Sequence, residues 1–262
     1  MLPKPAHLGP KYGAQFSDQS VADAYPMRPP YPTQIIETLA ELAVDEPRNV
    51  LELGCGTGDI TRFLAPHVHH IDALDPSAAM LHKARSLSNG LASNIHWIFQ
   101  TAEDFDYART YSLILAAESL HWMAWDVIFP RIRQALSPNG RLAIVLSREL
   151  SPVPWMPTLS PLLGEYSTNR EFQSYDLIEE LTLRDLFQPD ARIQTPPQAW
   201  SQPVADYIES FHSRNGFSRE RMGDRARAFD EQVAAMVAPY VEDGRLHFQL
   251  SGELVWGRPR AL

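Results

Sequence analysis

The sequence predicts an α/β domain in which a mostly parallel sheet carries helices on both faces. Three observations predict it. Apolar runs of strand length alternate with stripes of helical period from Thr33 to Leu146, and such alternation builds parallel sheets. The first run, Val50, Leu51 and Leu53, breaks into a turn holding Gly54, Gly56 and Gly58, and Ile60, Phe63 and Leu64 then follow at i, i+3, i+4. A second run, Ile71 to Leu74, ends in Asp75. Strand, glycine turn and helix together let a ligand lie against bare backbone, with the N–H groups of the helix start facing it. An acidic residue ending the next strand can accept hydrogen bonds from both hydroxyls of a ribose. Glycine turns at strand ends also serve packing alone, but the spacing here is GxGxG rather than the GxGxxG of nicotinamide-binding domains.

A chain of 262 residues buries an ample core, as one α/β domain with an appended or inserted piece or as two small domains. Hydrophobic residues at 44% and charged residues at 21% are ordinary for a globular protein in water. The net charge of −9 disfavours a general nucleic-acid binder, since no basic excess is present to neutralise phosphate. A single cysteine, Cys55, excludes an intramolecular disulfide and zinc-finger clusters, and no metal is expected in the site. No stretch reaches the ~20 apolar residues of a membrane span, and the N-terminus lacks a secretory apolar core. The expectation is a cytoplasmic protein with no membrane partner; its oligomeric state stays open.

Residues 1–32 hold prolines at 3, 5, 10, 26, 29, 30 and 32 and aromatics at Tyr12, Phe16, Tyr25 and Tyr31. This proline density prevents a long helix, although a short one from Ser17 to Ala24, capped by Ser17 or Asp18, is compatible with it. The aromatics argue for an arm folded over a site rather than a free tail. Thr33 is expected to cap a helix with Ile35, Ile36 and Leu39 on its buried side. After the second strand, Ser77 caps a helix carrying Met80, Leu81 and Ala84, which Asn89–Gly90 ends. Strands follow at Ile95–Phe99 and Tyr111–Ala116, then a helical stripe from Val127 to Leu136 with Pro130 near its first turn. A turn at Ser137–Gly140 leads to a fifth strand, Arg141–Leu146.

Beyond Ser147 the alternation stops. A proline-rich loop precedes Trp155, Tyr166, Phe172 and Tyr175, and Asp176 to Phe187 reads as a helix. Ala191 to Trp200 reads as a strand that Pro196 and Pro197 force to an edge or bend. Helices are expected at Val204–Arg214 and onward from Ser218, before a final strand with a break at Gly252.

The segments LELGCGTG, IDALDPSAAML, AESLHWM and LSPNGRLAIV, in that order, resemble the class I S-adenosylmethionine-dependent methyltransferases, including the UbiE-like and trans-aconitate-type small-molecule enzymes. The resemblance covers roughly residues 10 to 147. It implies a Rossmann-like sheet of seven strands in the order 3-2-1-4-5-7-6 with strand 7 antiparallel, and a helical cap. It divides the chain into an arm, 1–32, and a methyltransferase domain, 33–262, with a substrate cap at about 147–190 and further cap elements in 204–240. The implied cofactor is S-adenosylmethionine, with S-adenosylhomocysteine as product. The implied contacts are Glu52, Gly54, Cys55 and Gly56 at the turn, and Asp75, Pro76 and Met80 after the second strand. Ala102 and Glu103 would follow the third strand, with Ala117 and Glu118 at the fourth. AYPMRPPYP is similar to an arm segment of the family in which Arg28 would pair with the methionyl carboxylate. Relatives carry an acidic residue where this chain has Thr101, so Glu103 or Asp104 is left to reach the adenine.

An acceptor should meet the methyl at the end of the fourth strand. His121 there would take a proton or orient the acceptor, or with Trp122 merely wall the pocket. Trp122, Trp155, Tyr166, Phe211, His212 and Arg214 are the expected acceptor contacts, and Arg148, His212 and Arg214 leave room for an acid. The expected reaction is methyl transfer to O, N or C of a small molecule, a carboxylate among the candidates. A silent cofactor-binding protein, a methylase of RNA or protein, and a nicotinamide oxidoreductase remain the alternatives.

Overall fold

The computed structural model describes residues 4–8, 13–150 and 153–260. Helix α1 (Gln19–Ala24) and helix α2 (Thr33–Leu42) precede strand β1 (Asn49–Leu53). Then come α3 (Thr61–Leu64), β2 (His70–Asp75), α4 (Ala78–Ser86), β3 (Ile95–Phe99), β4 (Tyr111–Ala117), α5 (Trp125–Ala135) and β5 (Leu136–Leu150). The second half holds α6 (Met156–Tyr166), α7 (Leu177–Leu183), β6 (Phe187–Gln194), β7 (Gln198–Pro203), α8 (Val204–His212), α9 (Arg219–Met222), α10 (Arg225–Val237) and β8 (Arg245–Pro259).

The strands lie in the order β3-β2-β1-β4-β5-β8-β6, with β7 paired to β8 beside this path. Pairings among β1 to β5 are parallel, while β8 runs antiparallel to β5, β6 and β7. The expected order is therefore present, with β7 added and the antiparallel last strand becoming the eighth. Every residue of β1 is buried, as befits a central strand covered on both faces. Successive side chains point to opposite faces: Leu51 and Leu53 join the layer under α5 and α7, whereas Val50 joins the layer under α2 and α3. A third apolar cluster lies apart from both, formed by α6, α8, α10 and the start of β8 around Tyr207, Phe211 and Phe229. Among the described residues no helix is long and apolar enough to cross a membrane.

Several local expectations are corrected. Thr33 is the first helical residue and Pro32 its cap, without a side-chain bond. Asp18 flanks α1 but spends its carboxylate on Ser218 and Arg221. Phe63 is exposed rather than packed, because α3 is a single turn that continues as a 3-10 turn, Ala65–His67. Helix α4 stops at Ser86, before Asn89, and β5 begins at Leu136 through a register shift opposite Tyr111. Helix α7 ends at Leu183, so that Phe187 opens β6. The strand expected over 191–200 is two strands, broken where Pro196 and Pro197 supply no N–H to a ladder. The helix from Ser218 is interrupted at Gly223, whose φ is +57°. Conversely, β8 runs unbroken through Gly252. A Cβ there would stand 2.9 Å from Cγ1 of Ile35, so the glycine admits α2 against the sheet instead of ending the strand.

Candidate active site

The C-terminal ends of β1, β2 and β4 open into a cavity of about 1600 Å³, larger than the ~300–1,000 Å³ of an ordinary small-ligand pocket. Its floor is the glycine turn. Gly54 and Gly56 have φ of +71° and +55°, a region that side chains resist. A Cβ on Gly54 would stand 2.7 Å from that of Ser119. The Gly56 N–H donates to Oδ2 of Asp75 and the Ser77 N–H to Oδ1, each at 2.8 Å. These bonds fix the carboxylate at the cavity wall. Burial nevertheless pushes its pKa up to about 6, against the downward pull of the two N–H groups. Ser77 also caps α4 by accepting from the Met80 N–H, which seats Met80 against Val21 and Ala22 of α1.

The arm supplies the roof. Tyr25 would lie 3.6 Å from a Cβ on Gly56, and Phe16 packs on Trp122 with ring centroids 6.0 Å apart. Arg28 stacks over Tyr25 at 4.3 Å. Its guanidinium donates to Oγ and the carbonyl of Ser213, both at 2.7 Å, and pairs with Glu118 at 3.2 Å. Glu118 itself stands at φ +52°, a left-handed geometry that is unusual for a side-chain-bearing residue and common at functional strand ends. Gln15 accepts from the Gly216 N–H at 2.8 Å, and Ser20 N–H donates to Glu220 at 2.9 Å. The arm is thus bonded to the residues around α8 and α9.

Gly54, Gly56, Asp75, Pro76, Met80, Ala102, Glu103, Ala117, Glu118 and Arg28 all line the cavity, as do His121, Trp122, Phe211 and Arg214. Five expected contacts are not among its lining residues. Glu52 is buried beneath the turn, hydrogen-bonded by Thr61, and burial raises its pKa to about 8. Cys55 is also buried, its thiol pushed well above the ordinary value, which removes any nucleophilic character. Trp155 donates from Nε1 to the Tyr207 hydroxyl at 2.9 Å, behind the wall. Tyr166 packs on Phe229 and accepts from Gln232. His212 is fully buried, bonded to Asp230 at 2.7 Å and to the Phe217 carbonyl at 2.8 Å. Trp155 and Tyr166 belong to the third apolar cluster, and helical period turns His212 toward it. Tyr12 and the side chain of Arg148 lie outside the described residues.

The Thr101 position also resolves. Its hydroxyl donates to Asp104 at 2.7 Å and accepts the Asp104 N–H at 3.1 Å, closing a local turn that keeps Asp104 out of the cavity. Glu103 accepts the Ala124 N–H at 2.6 Å, so its carboxylate ties the third-strand loop to the fourth.

The cavity also has lining residues beyond the expected set. Lys4 enters it from the arm, donates to the Met123 carbonyl at 2.8 Å and sits 4.9 Å from the centre of the Trp125 ring. Burial lowers its pKa to about 8, while Glu103 and Asp126 hold it up. Arg184 and Tyr207 also line the cavity, with Leu146, Leu159, Leu163 and Leu186. Arg214 lies over the Phe211 ring at 4.5 Å. His121 faces Trp122 at 4.4 Å, and burial pulls its pKa down to about 4. Its imidazole is therefore neutral at pH 7, a hydrogen-bonding group and a feeble base. No sequence pattern marked Lys4 or Arg184; the arm's path and the end of α7 bring them in.

Residues 50–140 match a methyltransferase-domain family. The trans-aconitate 2-methyltransferase of Acidovorax sp. is 34% identical over 194 residues, covering 67% of this chain and 72% of that protein. An uncharacterized methyltransferase-like protein of Schizosaccharomyces pombe is 34% identical over 151 residues, covering 56% of this chain and 57% of its own. A probable S-adenosylmethionine-dependent methyltransferase of Saccharomyces cerevisiae is 28% identical, with 42% of it covered, so the chain spans about half the length of several curated relatives. A putative type II methyltransferase from Anaeromyxobacter dehalogenans superposes with a TM-score of 0.60 at 19% identity, over 88% of this chain and 97% of that one. A Thiobacillus denitrificans S-adenosylmethionine-dependent methyltransferase in complex with S-adenosylhomocysteine gives 0.53 at 13%, over 92% and 97%. At such identities the two structures speak for the fold alone. The Acidovorax alignment, reaching across two thirds of both chains, carries the kinship: the protein belongs to the class I S-adenosylmethionine-dependent methyltransferases.

Proposed function

We propose that the protein methylates a small acidic acceptor, most simply at a carboxylate oxygen, with S-adenosylmethionine as donor. The observation that carries this reading is one continuous cavity whose lining joins Gly54, Gly56 and Asp75 to the cationic side chains Lys4, Arg184 and Arg214 and to a set of leucines.

The residues present fit the cofactor. The turn presents bare backbone at Gly54 and Gly56, both at positive φ, Asp75 offers a fixed carboxylate for a ribose, and Arg28 offers a cation for the methionyl carboxylate. Met80 gives an apolar face for the adenine, beside the Ala102 backbone. When bound, S-adenosylmethionine supplies an electrophilic methyl on a sulfonium leaving group. The protein's own contribution is alignment, which lowers such barriers by ~7–11 kcal/mol when reacting atoms are well placed. Lys4 and Arg214 would anchor the anionic acceptor, and the leucine wall would exclude water around it. His121, neutral at pH 7, would orient the acceptor through a hydrogen bond. A carboxylate is already deprotonated and requires no base, which suits a histidine too acidic to act as one. Arm residues 13–32 and the elements between 153 and 240 would close over the bound pair. The Acidovorax relative is named for trans-aconitate, which agrees with an acid.

Labelled S-adenosylmethionine, incubated with the protein and a set of organic acids, amines and phenols, tests the proposal. Label recovered as a base-labile methyl ester is the expected result. Label entering RNA or protein but no metabolite would overturn it, and tight cofactor binding without turnover on any pool would favour the silent reading.

A further inference from the structure

The far end of the sheet carries a group of side chains that the methyl-transfer site does not use. We propose that His70, Asp72 and His96 form a binding site for a borderline divalent metal ion, zinc by preference, on the N-terminal edge of β2 and β3. Asp72 pairs in register with His96, and His70 lies two residues back along β2. All three therefore project from the same face. Asp75 ends β2 at the cavity, about 10 Å from Asp72 and about 16 Å from His70 along the strand at ~3.3 Å per residue, so the cluster lies toward the opposite end of the strand.

Nε2 of His70 is 2.8 Å from Oδ1 of Asp72, and the two imidazole centroids are 4.3 Å apart. The three ligand atoms lie within 4.8 Å of one another. Ligands on one zinc ion, at bonds of ~2.0–2.2 Å, stand somewhat closer, and His96, exposed at its position, can turn inward to close the difference. Two nitrogens and one carboxylate oxygen suit zinc or cobalt, with water completing the coordination. The second carboxylate oxygen is already held: the Tyr111 hydroxyl donates to it at 2.7 Å and Arg109 lies 3.4 Å away. Such outer partners orient a ligating carboxylate. Arg109 also opposes a cation, which lowers the expected affinity. On binding, the ion takes the place of the Nε2–H proton. In a neutral ring that proton moves to Nδ1, and in a charged ring it leaves to solvent.

Cobalt(II) titrated into the metal-free full-length protein tests the site through its visible ligand-field absorption, with zinc as competitor. The expected result is one saturable site in the wild type, lost or weakened at least about tenfold in His96→Ala. His69→Ala is the control. His69 pairs with Glu46 at 3.2 Å, outside the proposed ligand set, so this variant should bind cobalt as the wild type does. Zinc should raise the melting temperature of the wild type and of His69→Ala but not of His96→Ala. Cobalt binding that is absent, or equally strong in all three proteins, or lowered equally by His69→Ala, would overturn the proposal and leave a plain cross-strand polar cluster. The metal-free melting temperature of His96→Ala separates loss of the site from loss of the fold.

Discussion

Two groups of residues form the site: one is set mostly by main chain, and the other is made of side chains from distant elements. Gly54, Gly56, Asp75 and Ser77 lie close in sequence, on a strand, a turn and the next strand, and backbone N–H groups set the one carboxylate. Lys4, Arg184, Tyr207 and Arg214 come from the arm, the end of α7, and α8 with its trailing turn. A wall of backbone admits few substitutions, and one of side chains admits many. The first suits a ligand shared by a family, and the second suits an acceptor particular to one member.

Gly54→Val should have the largest effect on that contrast. It places a branched Cβ at φ +71° and against Ser119, so S-adenosylhomocysteine binding should fall below detection by calorimetry. A variant that still binds the product would show that the turn yields, and the contrast would fail. Asp75→Ala comes next. Each charge-assisted hydrogen bond lost, at ~1.5–3 kcal/mol, should weaken product binding by about 10- to 100-fold, with acceptor KM little changed. In the wild type, product affinity should decline as pH falls through about 6, because protonating Asp75 removes an acceptor.

Arg214→Ala should do the opposite. Acceptor KM should rise by about tenfold, the scale of one charged contact, while product affinity in calorimetry stays put. A change in product affinity as large as that in KM would erase the distinction between the two groups. A separate effect, on stability rather than binding, concerns Glu52, which keeps its proton up to about pH 8 when folded but ionises near 4.5 when unfolded. The folded state binds the extra proton between those values. Its stabilising contribution is thus complete below pH 4.5 and is lost as pH rises through 8. Glu52→Gln should flatten that decline, and melting temperatures from pH 5 to pH 9 would show it.

His212 illustrates what a linear sequence conceals. It stands one position after Phe211 and two before Arg214, both of which line the cavity. On a helix, one position is a rotation of ~100°, and His212 turns instead toward Asp230 and Phe217. Trp155 and Tyr166 turn instead into the third apolar cluster, because burying large aromatic surface there takes precedence over lining the cavity. Glu103 and Asp104 show a different limit. Their carboxylates are claimed by Ala124 and Thr101, bonds that depend on how two loops meet.

The sequence by itself determined the parallel core, the strand–turn–helix at Asn49–Leu64, the Ser77 cap and the position of Asp75. These rest on local period, glycine geometry and capping chemistry, each acting over a few residues. Tertiary structure alone decided which aromatic residues face the cavity and that Lys4 reaches into it from the arm. It also decided that Gly252 continues a strand rather than breaking one, and that His70 and Asp72 meet His96. Each of those outcomes depends on packing between segments far apart in the chain, where burial and steric fit outweigh local preference.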